Sequence, residues 1–571
     1  MARWQNLYHE KIPAEIDIPE DKSLIDLFFS SVEESGKLPF LHFEGSSITY
    51  EESAKIVKKL ASSLSDLGVK KGDRVALLMP NCPQYVLSYI SILSLGGVIV
   101  ALSSLASSKE ILFQLSDSGS KILITLDMFL DRIRPIQSKT KLKHVVVSSV
   151  ADALSPIKGF LYKKVIARKN PKPSKEDLIY NDLIKNSVEK DIKVKIKPKE
   201  DLAALQYTGG TTGTPKAAML THHNLVSQVI VLDYWMEWIG GQIPGVQSTN
   251  IGALPFSHIF GLTTSFLWPM SIGGSISLIP DPRKLEGIMK IVQDHKIHFF
   301  MGVPTLYQKI AEHPKVSDYD WSSLRCGISG GSALHTSVMD DFEKKTSALL
   351  VEGYGLSEAS PVTHVNPVDV KLRKIGIGLP IPNTEAKIID INTGEDIPEK
   401  FDDNGLTREG ELLVRGPQVM KGYWNKPEET DNVLTKDGWL KTGDVVKMNE
   451  QGFFSIVDRL KDCIFTSGYQ VWPLEVESAL CEHPDISMAA VIPYKDENLN
   501  EVIKAVLVAA EGAPEHDYKT IKAYCKNVLA PYKVPKQIEY RKELPLSPVG
   551  KVLRRPLREE EATAKVKATS K

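Results

Sequence analysis

The run Leu205-Gln-Tyr-Thr-Gly-Gly-Thr-Thr-Gly-Thr-Pro-Lys-Ala-Ala-Met219 constrains the fold more than any other stretch of this chain. Its centre, Thr208–Gly213, holds three glycines and three threonines. Glycines let successive backbone N–H groups converge on an anion, and threonine hydroxyls add donors. Lys216 supplies a mobile positive charge. A Walker A loop places its lysine directly after the last glycine, at the start of a helix. Here Thr214-Pro215 intervene and Ala217–Leu220 reads as a strand. The local reading is therefore strand, flexible Thr/Gly hairpin, strand, a flap able to close over a triphosphate. A tight solvent-exposed turn would use the same residue types.

The chain before this run alternates helix and strand. Thr49-Tyr-Glu-Glu52 is a capping box, followed by Ala54, Val57, Leu60, Ala61 and Leu64 at helical spacing and by Gly68 as a stop. Arg74–Met79 reads as a strand. The apolar stretch Val86–Leu102 is interrupted by Ser88, Tyr89, Ser91, Ser94 and Gly96-Gly97, which suits a buried helix followed by a core strand better than a membrane span. Such alternation predicts α/β layers on a largely parallel, buried sheet. From Glu385 strands and turns dominate, and past Asp458-Arg-Leu-Lys-Asp462 a unit of about a hundred residues remains, an ordinary small-domain size.

With 571 residues the chain exceeds one core, and roughly two to four domains are expected. The expected fold class is α/β: a large N-terminal α/β domain of layered sheets and helices with a β-rich subdomain, and a small mobile α+β C-terminal domain. The expected boundaries are 1–458 for the large N-terminal domain (with a basic insertion at 155–199), 459–462 for a hinge, 463–555 for the mobile domain and 556–571 for a polar tail. A net charge of −1 gives no global field to recruit nucleic acid. Cys82, Cys326, Cys463, Cys481 and Cys525 are scattered, which argues against a disulfide framework or zinc site and for a reducing cytosol. The start, Met1-Ala-Arg-Trp-Gln-Asn, has no apolar signal core.

The Thr/Gly run resembles the signature of adenylate-forming enzymes: acyl-CoA synthetases, 4-coumarate ligases, luciferases and peptide-synthetase adenylation domains. Gly209 stands where that family usually has serine, and Ala217 where it has glycine. Further segments match in the same order, from about Asp26 to Arg555. They are Leu254–Gly261, Ser329–Leu334, Val351–Glu358, Trp439–Asp444 with Asp458-Arg459, and Leu544–Lys551. The resemblance implies ATP binding by Thr208, Gly209, Gly210, Thr211, Thr212, Gly213 and Lys216, by Gly331 and Ser332 against adenine, and by Glu352, Gly353, Tyr354, Gly355 and Ser357. Tyr354 would stack on the base. Asp444 and Arg459 would hold the ribose. Glu358, with Ser357 in place of the usual threonine, would bind Mg2+, which prefers carboxylate, water and phosphate oxygens.

The same resemblance makes Lys551 the adenylation lysine, Lys461 the hinge position, and Ser467, Gly468 and Tyr469 the lining of the coenzyme A channel. His258 would line the passage between acyl pocket and CoA tunnel. Candidate acyl-pocket residues are Trp235, His258, Phe260, Met301, Gly302, Val303, Gly330 and Pro361-Val362, with Gly302 and Gly330 leaving depth for a chain. The implied activity is an ATP-dependent acid–CoA ligase acting through acyl-AMP, on a medium- to long-chain fatty acid. An aryl-CoA ligase of 4-coumarate type is the alternative. An amino-acid adenylation domain would place an aspartate near Phe256–His258, and none is there. A luciferase-like oxygenase has no feature in its favour, and an inactive scaffold would not need Lys216, Glu358, Asp444, Arg459 and Lys551.

One segment stands apart. Ser155–Lys175 carries Lys158, Lys163, Lys164, Arg168, Lys169, Lys172 and Lys175 with no acid, interleaved with Phe160, Leu161, Val165 and Ile166. An apolar strip among lysines can lie on an anionic bilayer, and the segment looks like the basic insertion of bacterial long-chain ligases. A solvated helix with a basic face would carry the same residues. The expected partners are a carboxylic acid, ATP and CoA, with weak membrane contact at 155–175 and no nucleic acid. The chain is expected as monomer or homodimer, in the cytoplasm or at the inner face of the membrane.

Overall fold

The computed structural model describes residues 2–208, 215–369, 371–466, 469–495, 501–547 and 550–569, with side chains for all of these except 469, 470 and 562–569. Local sequence signals set the first elements. Thr49 Oγ1 accepts the Glu52 N–H at 3.2 Å while the Glu52 carboxylate accepts the Thr49 N–H at 2.8 Å. This reciprocal cap starts the helix Tyr50–Asp66 and contributes ~1 kcal/mol. The helix buries Ala54, Val57, Leu60, Ala61 and Leu64. Gly68, at φ +89°, takes the chain out of it. The apolar stretch resolves into the helix Pro83–Ser94 and the strand Val98–Leu102, both buried. No helix among the described residues is long and apolar enough to cross a membrane.

Among the described residues the strands form five sheets. In a seven-stranded sheet, Arg74–Leu78 lies centrally between Val98–Leu102 and Ile122–Leu126, all parallel. The hairpin Leu202–Thr208 and Lys216–Thr221 closes one edge antiparallel, and Leu178–Ile179 closes the other, so the expected insertion at 155–199 also contributes an edge strand. A nine-stranded sheet has parallel pairing at its centre, including Phe299–Gly302, Cys326–Ser329 and Leu349–Gly355, with antiparallel strands at both ends. The central strands are covered by helices and read as continuous apolar runs, as parallel sheets do.

The chain divides into two compact units. One comprises most of the chain up to Glu385 together with Arg415–Gly438; the other comprises Ala386–Val414 and everything from Trp439 onward. Asp458, the boundary expected from the sequence, falls inside the second unit, because Leu440–Met448 and Phe454–Arg459 pair as neighbouring antiparallel strands of one four-stranded sheet. The rest of that unit is a three-stranded sheet, Ile486–Lys495, Glu501–Ala509 and Gln537–Tyr540, with the helices Pro473–Cys481 and Tyr518–Val528. Its core gathers Ile464, Val476, Leu480, Val491, Ala505, Leu507 and Ile521. All five cysteines are unpaired thiols.

Candidate active site

In the larger unit, the hairpin strands run in the register Leu205↔Met219, Tyr207↔Ala217 and Thr208↔Lys216. Gly209, Gly210, Thr211, Thr212 and Gly213 lie outside the described residues; Thr208 and Lys216 mark where they depart and return. The outer side of Lys216–Thr221 is not left as a bare edge. The Met219 N–H donates to Gly422 O (2.9 Å), the Lys421 N–H to Met219 O (3.0 Å) and the Trp424 N–H to Ala217 O (2.9 Å). This strip brings Tyr423 beside Lys216, whose ammonium sits 5.2 Å from the ring centroid. Lys216 also pairs closely with Glu429, and that hydrogen bond holds the Glu429 carboxyl below its ordinary range. The Tyr423 hydroxyl donates to Glu358 Oε1 at 2.6 Å. Burial, and then the charge of Glu358, push the phenol far above its usual range, so it stays a donor. Lys216, Tyr423 and Glu358 are thus linked side by side, with Ser357 on the same short turn as Glu358. Sequence reasoning found the two ends of this chain and missed Tyr423 and Glu429.

The glycine-rich strand Leu349–Gly355 carries Glu352, Gly353, Tyr354 and Gly355. Tyr354 stands edge-on to the buried His364 at 5.8 Å, whose imidazole is driven down to about 3 by burial. Burial also raises the Glu352 carboxyl to about 8, partly opposed by a bond from the Leu334 backbone. A protonated carboxyl beside the Ser329–Leu334 loop both donates and accepts, which a fixed carboxylate cannot. Gly331, at φ +86°, is exposed in that loop, and Ser332 is half-buried.

The acyl-pocket candidates divide. His258 is half-buried at the N-terminus of the helical turn Ile259–Leu262, where its Nδ1 accepts the Phe260 N–H at 3.3 Å. Burial lowers its pKa to about 4, so it is neutral at pH 7. Met301, Val303 and Pro361 are buried. Trp235 is fully buried, edge-on to Tyr8 at 5.6 Å. The expectation that Gly302 leaves depth for a chain is corrected: a Cβ there would meet the Tyr307 ring at 2.8 Å, so the missing side chain makes room for a core tyrosine. At Gly330 a Cβ would meet the Phe260 ring edge at 3.0 Å, so any depth there depends on Phe260.

In the smaller unit, Asp444 and Arg459 face each other across paired strands and join at 3.0 Å. Asp444 is 3% exposed, which makes this pair unlike the solvated ion pairs that contribute little. Lys551 is held against Ser547: its N–H donates to Ser547 Oγ at 3.0 Å and its carbonyl accepts the Ser547 N–H at 2.7 Å. Repulsion from Arg459 and then burial lower the Lys551 ammonium to about 8, against the pull of Asp444. The structure therefore gathers three sequence-predicted residues that are far apart in the chain. Just beyond, Arg554 reaches Glu477 (Nε, 2.7 Å), Asp462 (2.9 Å) and Asp458 (3.3 Å). The carboxylates hold its guanidinium charged despite burial. Sequence reading passed over Arg554; the doubled basic pair Arg554-Arg555 after an adenylation-type lysine was the available signal. Lys461 is exposed on the turn Leu460–Asp462. Ser467 and Gly468 lie outside the described residues, and the Tyr469 backbone pairs with Thr466.

Two family profiles cover most of the sequence: AMP-binding enzyme over residues 28–424 and AMP-binding enzyme C-terminal domain over 475–551. A long-chain-fatty-acid–CoA ligase of Bacillus subtilis (strain 168) is 40% identical, with 98% of each chain covered. One of Escherichia coli O157:H7 is 37% identical over the same shares, and 4-coumarate–CoA ligase 1 of Solanum tuberosum is 32% identical, with 97% of this chain and 96% of that one covered. ATP-bound MatB from Rhodopseudomonas palustris superposes with a TM-score of 0.80 at 27% identity, over 94% of this chain and 98% of that one. The chain belongs to the AMP-binding enzyme family and is an AMP-forming acid–thiol ligase.

Proposed function

We propose that the protein is a fatty acid–CoA ligase for medium- to long-chain acids. The observation that carries this reading is the end-to-end similarity to two bacterial long-chain ligases, at 40% and 37%, above the 32% to the coumarate enzyme. In the first half-reaction a carboxylate oxygen attacks the α-phosphorus of ATP and pyrophosphate leaves. In the second the CoA sulfur attacks the acyl carbon and AMP leaves. A poor electrophile is thereby activated in two easier steps.

Each residue has a task in this scheme. Lys216 follows the triphosphate, and the half-buried Glu352 faces the adenine loop with a carboxyl able to donate as well as accept. Asp444 accepts from the ribose hydroxyls and Arg459 orients Asp444. The oxygen donors of Glu358 and Ser357 suit Mg2+, a hard cation that would offset phosphate charge. Tyr423, bonded to Glu358, orients that carboxylate. Lys551 stabilises charge moving onto pyrophosphate, and electrostatic assistance of this kind commonly accounts for ~10²–10³ in rate. His258, kept neutral, presents no charge to an apolar acyl chain. Residues 459–462 are assigned as the hinge between half-reactions, and Ser467–Tyr469 are assigned to coenzyme A. Pyrophosphate release measured with acetate, octanoate, palmitate, benzoate and coumarate tests the substrate: efficiency rising toward palmitate supports it, and a peak at coumarate or benzoate replaces it with the aryl-CoA reading.

Membrane contact belongs to the same proposal. On the helix Pro156–Val165 and the turn after it, Ile157, Phe160, Leu161, Val165 and Ile166 are all more than half exposed. Lys164 lies 4.6 Å from the Phe160 ring centroid, while Lys163 is drawn to Asp152. Exposed apolar side chains among cations suit an anionic bilayer, each cation contributing ~1 kcal/mol near the surface. Sedimentation with anionic vesicles should show binding that weakens with salt and disappears when Lys163, Lys164, Arg168 and Lys169 become glutamine.

A further inference from the structure

The smaller unit carries a second cluster of ligating groups that the ligase chemistry does not use. His483, Asp485 and His516 place their ligand atoms within 4.8 Å of one another. We infer that these three residues form a binding site for a divalent transition-metal ion, zinc in particular. The donor set of two imidazoles and one carboxylate is that of zinc rather than of magnesium or calcium, which prefer oxygen alone. Three protein ligands leave a fourth position for water, and all three residues are half-buried, so an ion can reach them from solvent.

Two separate loops deliver the ligands, and each is anchored. His483 and Asp485 flank Pro484 in the turn between the helix Pro473–Cys481 and the strand Ile486–Lys495. The Asp485 carbonyl accepts the Ala510 N–H at 2.9 Å and the His483 carbonyl accepts the Ile486 N–H at 3.0 Å. The His483 ring is set edge-on against Tyr524 at 4.8 Å, and Tyr524 is itself fixed by donating to Ala479 O at 3.0 Å. His516 precedes Asp517, the residue that caps the helix Tyr518–Val528, and its backbone N–H donates to the Tyr540 hydroxyl at 3.2 Å. Backbone bonds therefore hold both loops, and Tyr524 holds the His483 ring, independently of any ion.

Binding widens one short pair and moves one ring proton. The His516 Nε2 to Asp485 Oδ2 distance is 2.6 Å. Two ligands of one tetrahedral zinc, each ~2.1 Å from the metal, lie about 3.4 Å apart. The ion takes the place of the proton shared by this pair and widens it by less than the width of an atom. His483 Nδ1 accepts the Asp485 N–H over a long 3.2 Å; coordination through Nε2 moves the ring proton to Nδ1 and gives up that bond. Such a site would clip the loop before Ile486 to the loop before Tyr518.

The test uses the full chain, freed of metal by chelator and dialysed. Titration with zinc alone should show one equivalent bound and a rise in melting temperature, since an ion bound only by the folded state stabilises it by mass action. His483→Gln and His516→Gln should each weaken binding by more than the ~10–100-fold that loss of an outer-shell partner costs. On the unaltered protein, zinc should shield both His483 and His516 from diethyl pyrocarbonate, a readout that does not depend on the variants folding. Binding of the same strength in either variant, zinc without protection of both histidines, or no stoichiometric binding at all would overturn the inference and leave an ordinary His–Asp pair.

Discussion

The two lysines assigned to ATP chemistry stand in opposite surroundings. Lys216, in the larger unit, has its charge answered before any ligand arrives, by the Glu429 carboxylate and the face of Tyr423. Lys551, in the smaller unit, faces Arg459 and Arg554, with Asp444 and Asp462 opposing them, and its pKa is lowered to about 8. The first lysine must leave a partner to bind a phosphate; the second gains one. The difference teaches that two lysines near glycine-containing segments can be prepared for anions by contrary means, one by storage in an ion pair and one by crowding with like charge.

Breaking the second arrangement should have the largest effect. Lys551→Ala should lower acyl-adenylate formation by ~10²–10³-fold, measured as pyrophosphate release, and leave thioester formation from supplied acyl-AMP largely intact. Because the folded protein disfavours the Lys551 charge, the variant should melt no earlier than the parent. Equal loss of both half-reactions, or a lowered melting temperature, would make Lys551 a structural residue.

Next comes the scaffold behind it. Arg554→Met removes the cation shared by Asp458, Asp462 and Glu477, which remain buried at 1%, 6% and 9% exposure, while Asp462 keeps Arg558 at 2.9 Å. Removing one partner of a buried ionic cluster typically costs ~3–5 kcal/mol. Urea unfolding should register that loss in the transition of the smaller unit, and a change below ~1 kcal/mol would show that water replaces the arginine.

On the Lys216 side the expected effects are smaller and differ in sign. Glu429→Gln releases Lys216 from a half-exposed pair that contributes ~0–1 kcal/mol, so the KM for ATP should fall, by up to about fivefold. Tyr423→Phe removes the hydroxyl from Glu358, and the Mg2+ concentration for half-maximal rate should rise several-fold, as expected for a hydrogen bond to a charged group of ~1.5–3 kcal/mol partly replaced by water. If Glu429→Gln instead raises KM, Glu429 aligns Lys216 rather than storing it.

How much of this was legible in the sequence follows the distance over which each contact forms. The two strands flanking the Thr/Gly run, the Thr49 cap and the helix–strand split at Gly96-Gly97 are local patterns, and the structure has them where the residues predict. Tyr423 and Glu429 lie more than two hundred residues from Lys216 and carry no periodicity that points there. Arg554 meets carboxylates in three separate elements. Gly302 shows the converse error: a small residue read as space for a ligand is small because Tyr307, in the next helix, already fills that space. A sequence shows that a side chain is missing, and only the packing shows what took its place.

The finest discrimination between the two lysines is by pH. If the ammonium form of Lys551 drives the first half-reaction, kcat/KM for pyrophosphate release should fall as pH rises through about 8, the value set by Arg459, burial and Asp444 together. The limb belongs to Lys551 only if it moves with its neighbours. Arg459→Gln removes the largest depressing charge and should shift the limb to higher pH, whatever it does to the height of the profile. Asp444→Asn removes the opposing carboxylate and should shift it lower, and Lys551→Arg, charged throughout, should abolish it. Stability should show the complementary sign. A lysine whose folded pKa lies near 8, below its ordinary 10.5, binds its proton more weakly folded than unfolded, so its contribution grows as pH climbs between those values. A limb that stays at the same pH in both Arg459→Gln and Asp444→Asn would belong to another group, and the contrast with Lys216 would then rest on geometry alone.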